Sequence, residues 1–496
     1  MTKLRPLMFV GTGSDVGKSI IATGMCRILR QDGYHPAPFK AQNMALNSFA
    51  TPEGLELGRA QAVQAEAAGI PPHTDMNPVL LKPSSERRSQ IVLNGKPIGD
   101  KDAYEYFRTI GRGELKAEVQ AAFDRLSQRY NPIVLEGAGS ISELNLQSSD
   151  LVNMSMAEYA GAAVILVADI DRGGVFASVY GSVMLQKPEH RRLIKGILIN
   201  KFRGDIRLFE EGKRMLEKLC QIPVVGIVPY FRDIHIEEED SVALSKREMY
   251  AREGKVNVAV VLLRYLSNYT DFARLEQDPR VHLYYTNNVD ELSEADIIII
   301  PGSKSTLSDL YELRRNGVAQ AIIRARREGK SILGICGGYQ IMGREVCDPN
   351  GVEGDIPRLP ALGLLPTTTT MAGEKITRQM RFRFLDRSEE CLGYEIHMGR
   401  TEPVEGAEVS PLAHLSDGRD DGYWLDDRCM GTYLHGILDN PSFIDYLLAP
   451  YADRIDGSHE PLDYEAYKNQ QYDLLADHLR QHIDLPLIYQ LISSDD

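Results

Sequence analysis

SILGICGGYQIMG, residues 331–343, carries a nucleophile in a setting that sets the architecture around it. Ile332-Leu333-Gly334-Ile335 reads as a buried strand. Cys336 follows at once, then Gly337 and Gly338, then the helix-forming run Tyr339-Gln340-Ile341-Met342. A side chain exposed on a sharp strand-to-helix turn needs small neighbours, because the backbone leaves no room for Cβ atoms. The helix start places free N–H groups beside the sulfur, where they favour a thiolate and hold a developing oxyanion. Cys336 is therefore expected to be a nucleophile on an elbow, with Gly337, Gly338 and Gln340 in its binding site.

A thiolate needs a base. Two of the eleven histidines lie downstream in strand-like surroundings, His397 in GYEIHMG (393–399) and His435 in GTYLHGIL (431–438). His435 is preferred: it ends an apolar run from Met430 to Leu434 and precedes Gly436, so its ring emerges at a sheet edge. His397 reads as a packed structural histidine. Upstream, Ile297–Ile300 forms a buried strand that runs into Pro301-Gly302-Ser303. That turn is expected to supply a second oxyanion N–H from Gly302 or Ser303.

PGS, GICGGYQ and YLHG, in that order, resemble the triad class of glutamine amidotransferase domains. The resemblance implies release of ammonia from glutamine through a cysteinyl thioester. Most of that class carry a Glu two residues after the His, and here the position is Ile437. Either another carboxylate orients His435, or the site works as a Cys–His dyad. The branch that lacks this Glu, the cobyrinic and cobyric acid synthases, is the nearer resemblance.

The chain has 496 residues and a net charge of −14, long enough for two or three domains and, at 43% hydrophobic residues, able to fill their cores. The acidic balance argues against nucleic acid as a partner. Six scattered cysteines (26, 220, 336, 347, 391, 429) with no CxxC spacing fit a reducing compartment without zinc or disulfides. MTKLRPLMFV is too short an apolar stretch for a signal peptide, and no apolar run is long enough to span a bilayer. A cytoplasmic protein with no membrane partner is expected; the oligomeric state is left open.

Near the start, the strand Leu7–Val10 enters Gly11-Thr12-Gly13-Ser14-Asp15-Val16-Gly17-Lys18-Ser19, followed by a helix. Strand, glycine loop, GKS and helix make a phosphate cradle: backbone N–H groups from Gly13 to Gly17 meet phosphate oxygens, Lys18 reaches the terminal phosphates, and Ser19 binds Mg²⁺. Thr12 stands where the common GxxxxGK[ST] pattern wants Gly; the form GTxxxVGK[ST] fits and resembles the dethiobiotin synthetase type of loop. The Lys that marks partition-type switch ATPases would fall at Gly13 and is absent. Lys40 ends a second strand at the carboxyl edge, where parallel α/β sheets place ligands. In dethiobiotin synthetase-like enzymes a Lys so placed sits near the transferred phosphate. The buried strand Ile133–Leu135 ends in Glu136, an expected Mg²⁺ partner. Asp150 either caps a helix or positions a substrate carboxyl or nucleotide. Asn200-Lys201, after the strand Ile197–Ile199, suits purine recognition. Lys82, Arg87 and Arg88 form a small basic cluster, suited to a polycarboxylate or simply solvated.

Strands alternating with helices predict a doubly wound, mostly parallel sheet in each half. The expected domains are a P-loop synthetase domain at 1–235, a charged linker at 236–255, an amidotransferase domain at 256–446 and a helical extension at 447–496, with Leu474, Leu475, His478 and Leu479 on one face of its helix.

A thiol that liberates ammonia, joined to an ATP site, implies an amide synthetase. Oxide is a poor leaving group, so a carboxylate must be phosphorylated before ammonia can displace its oxygen. GTGSDVGKS, FKAQNMALNS, NPVLLKP, VLEGAGS, DLVNM, ADIDRGGVFAS, INKFRGD and PGSKSTLSDL, with the motifs above, are similar to the cobyric acid synthase family over nearly the whole chain. The resemblance implies ATP- and glutamine-dependent amidation of the b, d, e and g carboxylates of adenosylcobyrinic acid a,c-diamide in cobalamin biosynthesis, with ATP, Mg²⁺ and L-glutamine. FKAQNM separates it from cobyrinic a,c-diamide synthase. Intact Cys336 and His435 argue against a regulatory protein with a decayed amidotransferase half.

Overall fold

The computed structural model describes residues 3–83, 88–102, 112–237, 251–252, 254–455 and 462–493. Arg87 and most of the linker expected at 236–255 lie outside them.

The amino-terminal half is built on one six-stranded parallel sheet. Its order is Val224–Pro229, Ile194–Phe202, Ala163–Asp169, Leu7–Gly11, Ile133–Glu136, Ala37–Phe39. Leu7–Gly11 and Ala163–Asp169 are buried at every position, as strands covered by helices on both faces must be. Each such aliphatic side chain contributes about 2 kcal/mol of burial free energy. The order places the carboxyl ends of Leu7–Gly11 and Ile133–Glu136 side by side, which brings the glycine loop to Glu136. A small four-stranded sheet (Gln42–Met44, Val79–Pro83, Arg88–Leu93, Lys96–Asp102) and the ribbon of Ser48–Ala50 with Glu56–Gly58 sit beside this edge.

The second half has its own six-stranded sheet, in the order Val281–Thr286, Val256–Val261, Ile297–Ile300, Ser331–Ile335, Cys429–Thr432, Tyr423–Asp426. All pairs are parallel except the last. A second, largely antiparallel sheet is dominated by the long strands Thr367–Phe384 and Cys391–Pro403. The architecture is two doubly wound α/β domains, as expected.

Several elements are arranged otherwise than expected. The apolar run from Met430 to Leu434 is not one strand. Cys429–Thr432 stays in the parallel sheet, whereas Leu434–His435 crosses to the antiparallel sheet, with His435 opposite Tyr394. The boundary at 446 falls inside the helix Pro441–Leu448, and Leu447, Leu448 and Tyr451 still belong to the second core. The helices Tyr464–His482 and Leu485–Ser493 are no appendage: Leu475, Leu479 and Ile488 are completely buried in the first domain's core. A methyl group at Gly24 would stand 2.3 Å from Leu479 Cδ1, so the glycine lets the returning helix dock on Lys18–Gln31. Leu474, expected on that same face, points outward at 40% exposure.

The halves meet over the ribbon 48–58. Asn268 Oδ1 accepts from Ser48 N–H at 3.0 Å, and Asn47 Oδ1 accepts from Tyr269 N–H at 3.1 Å. Phe49 lies against Tyr394, with ring centroids 5.7 Å apart. Glu56, fully buried, takes Lys82 at 2.7 Å from its own domain and Lys375 from the other. Burial opposes a charge on Glu56, but Lys375 and Lys82 outweigh it and hold the carboxyl well below its ordinary range. Lys82 is therefore an interface residue, not part of an exposed basic cluster; Arg88 is exposed.

Candidate active sites

The thiol site forms where Ser331–Ile335 leaves the sheet. Cys336 has φ 52° and ψ −108°, a backbone conformation that side chains other than glycine rarely adopt, and Gly337–Met342 begins directly after it. The two glycines are dictated by contact. A Cβ on Gly338 would stand 1.8 Å from the Ile300 carbonyl oxygen, and one on Gly337 would stand 2.7 Å from the Ser303 nitrogen. The elbow is thus pressed onto the Pro301-Gly302-Ser303 turn, which brings Gly337 and Gly338 against that turn. Ser303 donates its hydroxyl to Asp309 at 2.6 Å. The Gln340 amide is engaged with Thr306 and Tyr433, at 2.9 and 3.1 Å.

His435 is 1% exposed and Cys336 7% exposed. His435 Nδ1 lies 2.7 Å from Asp271 Oδ2, and the other oxygen of Asp271 accepts from Gly436 N–H at 3.1 Å. Of the alternatives posed by Ile437, the structure supplies the first: a carboxylate from far upstream, in the turn Tyr269–Phe272. Sequence reasoning missed it because no spacing links residues 271 and 435; only the missing acid at 437 hinted that one was needed. Burial opposes charging the ring, but the Asp271 carboxylate and then the neighbouring Cys336 sulfur carry the imidazole up to about 10. An imidazolium beside sulfur is what a thiolate nucleophile requires. His397 is packed, stacked on Tyr433 with centroids 3.8 Å apart and bonded through Nδ1 to the Gly399 carbonyl at 2.9 Å.

A prediction follows from Asp271. Asp271→Asn keeps the shape but removes the charge that raises His435. Thiolate-driven hydrolysis at Cys336, if it is the nucleophile expected from the sequence, falls by about 10²-fold in this variant. The alkaline limb of its pH profile should move to lower pH, since the imidazolium is then lost sooner as pH rises. Product release measured from pH 6 to 10 checks both; an unmoved limb would deny Asp271 its role.

The glycine loop wraps the start of Lys18–Gln31. Gly17 has φ 97°, and a Cβ there would stand 2.1 Å from Asn200 Nδ2. Lys18 Nζ spans the loop, donating to the Gly13 and Gly139 carbonyls at 3.0 Å each. Ser19 Oγ donates to Glu136 Oε1 at 2.6 Å; Lys40 Nζ meets the same oxygen at 2.9 Å, and Gln64 Nε2 meets Oε2 at 2.6 Å. Burial opposes the charge on Glu136, but Lys40, Ser19 and Gln64 keep it below the ordinary carboxylate range. An ionised acid, a hydroxyl and a lysine thus converge at the strand end.

Asn200 and Lys201 are engaged with the loop: Asn200 Nδ2 donates to the Val16 carbonyl at 2.9 Å, and Lys201 Nζ to Asp169 at 3.0 Å and to the Asp15 carbonyl. Asp15, at φ 56°, pairs with Arg172 at 3.4 Å. Asp150 accepts from the N–H groups of Val152, Asn153 and Ser155 at 3.0, 2.8 and 3.2 Å, the capping alternative, while its loop still lines the cleft. That cleft, about 1170 Å³, runs from the glycine loop past Glu136 to Tyr230, Tyr464 and Tyr467. It is large enough for a nucleotide and a second sizeable ligand. No cluster of three or more metal-ligating side chains occurs among the described residues, and none of their helices is long and apolar enough to cross a membrane.

Two family profiles match this division. One, described as "CobQ/CobB/MinD/ParA nucleotide binding domain", covers residues 7–242; the other, "CobB/CobQ-like glutamine amidotransferase domain", covers residues 257–443. The chain is 72% identical over 493 residues to a cobyric acid synthase of Bacteroides fragilis, with 99% of both chains covered. It is 69% identical to that of Phocaeicola vulgatus over the same length and coverage. It is 48% identical over 512 residues to that of Syntrophobacter fumaroxidans, again with 99% of each covered.

Proposed function

This chain belongs to the cobyric acid synthase family, and on that premise we propose that it converts the b, d, e and g carboxylates of adenosylcobyrinic acid a,c-diamide to amides, using ATP and L-glutamine. The observation that carries the reading is the pairing within one chain of a strained cysteine backed by His435–Asp271 and a glycine loop that presents Lys18, Ser19 and Glu136.

In this reading the Cys336 thiolate attacks the glutamine carboxamide carbon, and the S–C bond forms. N–H groups around Gly337 and the Gly302-Ser303 turn hold the oxyanion. The C–N bond breaks as His435 gives its proton to the departing nitrogen. Water, deprotonated by His435, then cleaves the thioester to glutamate. In the other half, a carboxylate oxygen of the corrinoid attacks the γ-phosphorus of ATP, and ADP departs. Lys18 and Lys40 stabilise the negative charge of the transferring phosphoryl group. Ammonia attacks the acyl carbon, and phosphate leaves. Ser19 and Glu136 are hard oxygen donors 2.6 Å apart, a fit to Mg²⁺, which keeps few protein ligands and binds phosphates. That ion would neutralise charge on the phosphate oxygens. The aromatic wall of the cleft suits a flat macrocycle. The free cysteines accord with work in a reducing cytoplasm.

Mass spectrometry of the corrinoid after incubation with glutamine and ATP tests the reading. Each acid converted to amide removes one mass unit, and four successive losses are expected. An unchanged corrinoid with either glutamine or ammonium as nitrogen source would refute it.

A further inference from the structure

Glutamine carries an ammonium and a carboxylate on its α-carbon, two methylenes away from its amide. A site that hydrolyses it must tell that head from other primary amides, and the groups around Cys336 described above meet the amide alone. The oxyanion turn leads to more. Pro301-Gly302-Ser303 continues through Lys304 and Ser305 into the helix Thr306–Arg315. Thr306, 1% exposed, opens that helix, and its hydroxyl donates to Gln340 Oε1 at 2.9 Å. Gln340 lies one helical turn from Cys336, with its N–H donating to the Cys336 carbonyl at 3.1 Å. Thr306 is therefore linked to the elbow through a single side chain.

A carboxylate closes on this corner from another segment. Asp348 accepts from the N–H groups of Val352 and Glu353 at 2.8 and 2.7 Å and so fixes the turn 348–353. That turn lays the half-buried Glu353 on the helix start: Oε2 accepts from Thr306 N–H at 2.7 Å, and Oε1 lies 3.3 Å from Thr306 Oγ1. The Thr306 hydroxyl has one proton. The Tyr433 hydroxyl takes the Gln340 Nε2–H at 3.1 Å, which leaves Gln340 Oε1 facing Thr306 and in need of that proton. Glu353 Oε1, at the longer distance, goes without it. Burial pushes the Glu353 carboxyl up to about 7, against the Lys304 ammonium and the N–H groups of Thr306 and Leu307. An acid whose charge is incompletely compensated, at the edge of a substrate site, is a place for a cation.

We propose that Glu353 receives the α-ammonium of glutamine, and that this contact makes the thiol site select the amino acid over amides that lack an amino group. The ammonium donates to Glu353 Oε1 in a charge-assisted hydrogen bond, while Oε2 keeps the helix start. Thr306 and Gln340 set the distance between this carboxylate and the thiol. A helix cap alone explains Oε2; it does not explain why Oε1 lies beside a hydroxyl committed to Gln340. The inference rests on the proposed function, and its test separates the two.

Glu353→Gln keeps an acceptor for the Thr306 N–H and removes the charge. Glutamate release by the full chain, supplied with ATP and corrinoid, gives kcat and KM for glutamine. Glutaramate, which is glutamine without its amino group, is added as a competitor, and its inhibition constant is measured in parent and variant. In the parent, glutaramate is expected to bind about 100-fold more weakly than the KM for glutamine. In Glu353→Gln the KM is expected to rise about 100-fold, with kcat kept within about fivefold and the glutaramate constant within about twofold, so the preference disappears. Glu353→Asp, which keeps the charge on a shorter stem, should fall between the two. An unchanged KM in Glu353→Gln overturns the inference. So does an equal rise for glutamine and glutaramate, the mark of a helix cap only, and so does a parent that binds both alike. A parent chain that releases no glutamate from glutamine would sink the proposed function itself, a different outcome from any of these.

Discussion

Cys336→Ala is expected to abolish glutamine-dependent amidation, by about 10⁴-fold or more, while synthesis from ammonium salts continues. The sulfur is the only atom removed, and the elbow is built to present it. Cys336 tolerates φ 52° only because its neighbours fix the turn, so alanine, which keeps the Cβ, sits in the same backbone. His435 and Asp271 remain paired at 2.7 Å, and the second core loses one sulfur atom. Nothing in the glycine loop touches residue 336. The variant should therefore release no glutamate yet still form ADP and amide when ammonium and corrinoid are supplied. Chromatography of glutamate and ADP in parallel checks this. Loss of both nitrogen sources would make Cys336 a structural residue and would overturn the nucleophile.

Lys18→Ala is expected to remove amide synthesis from either source, by about 10³-fold, and to leave the thiol site assembled. Lys18 Nζ holds the Gly13 and Gly139 carbonyls at 3.0 Å each, so it braces the loop against the segment that follows Glu136. In the proposed reaction the same ammonium would meet the terminal phosphates. Its removal takes away transition-state stabilisation and loosens the cradle together. Reaction of Cys336 with a glutamine-like electrophile should persist, which distinguishes a lost phosphate site from an unfolded chain. Retained ADP formation would refute the cradle.

The legible parts were those written in consecutive residues. Elbow and glycine loop are local: a strand, a turn too tight for side chains, a helix start. The contacts of Gly17, Gly337 and Gly338 account for the glycines one by one. Strand-end Glu136 and Lys40 were legible for a related reason, since the carboxyl edge of a parallel sheet is where such residues converge. Other positions have partners that no local pattern announces: Asn200 bonds the loop backbone, Lys82 pairs with Glu56, and Asp150 takes the capping alternative.

The sequence by itself determined the two α/β halves, the strand-to-helix turn at Cys336, the glycine loop and the family, because each depends on short-range pattern and on backbone sterics. Only the tertiary structure decided that Asp271 pairs with His435, that His435 leaves one sheet for another, and that the carboxy-terminal helices finish the first core. Those features join residues far apart along the chain, and their pairing is set by packing and burial rather than by any spacing a reader of the sequence can see.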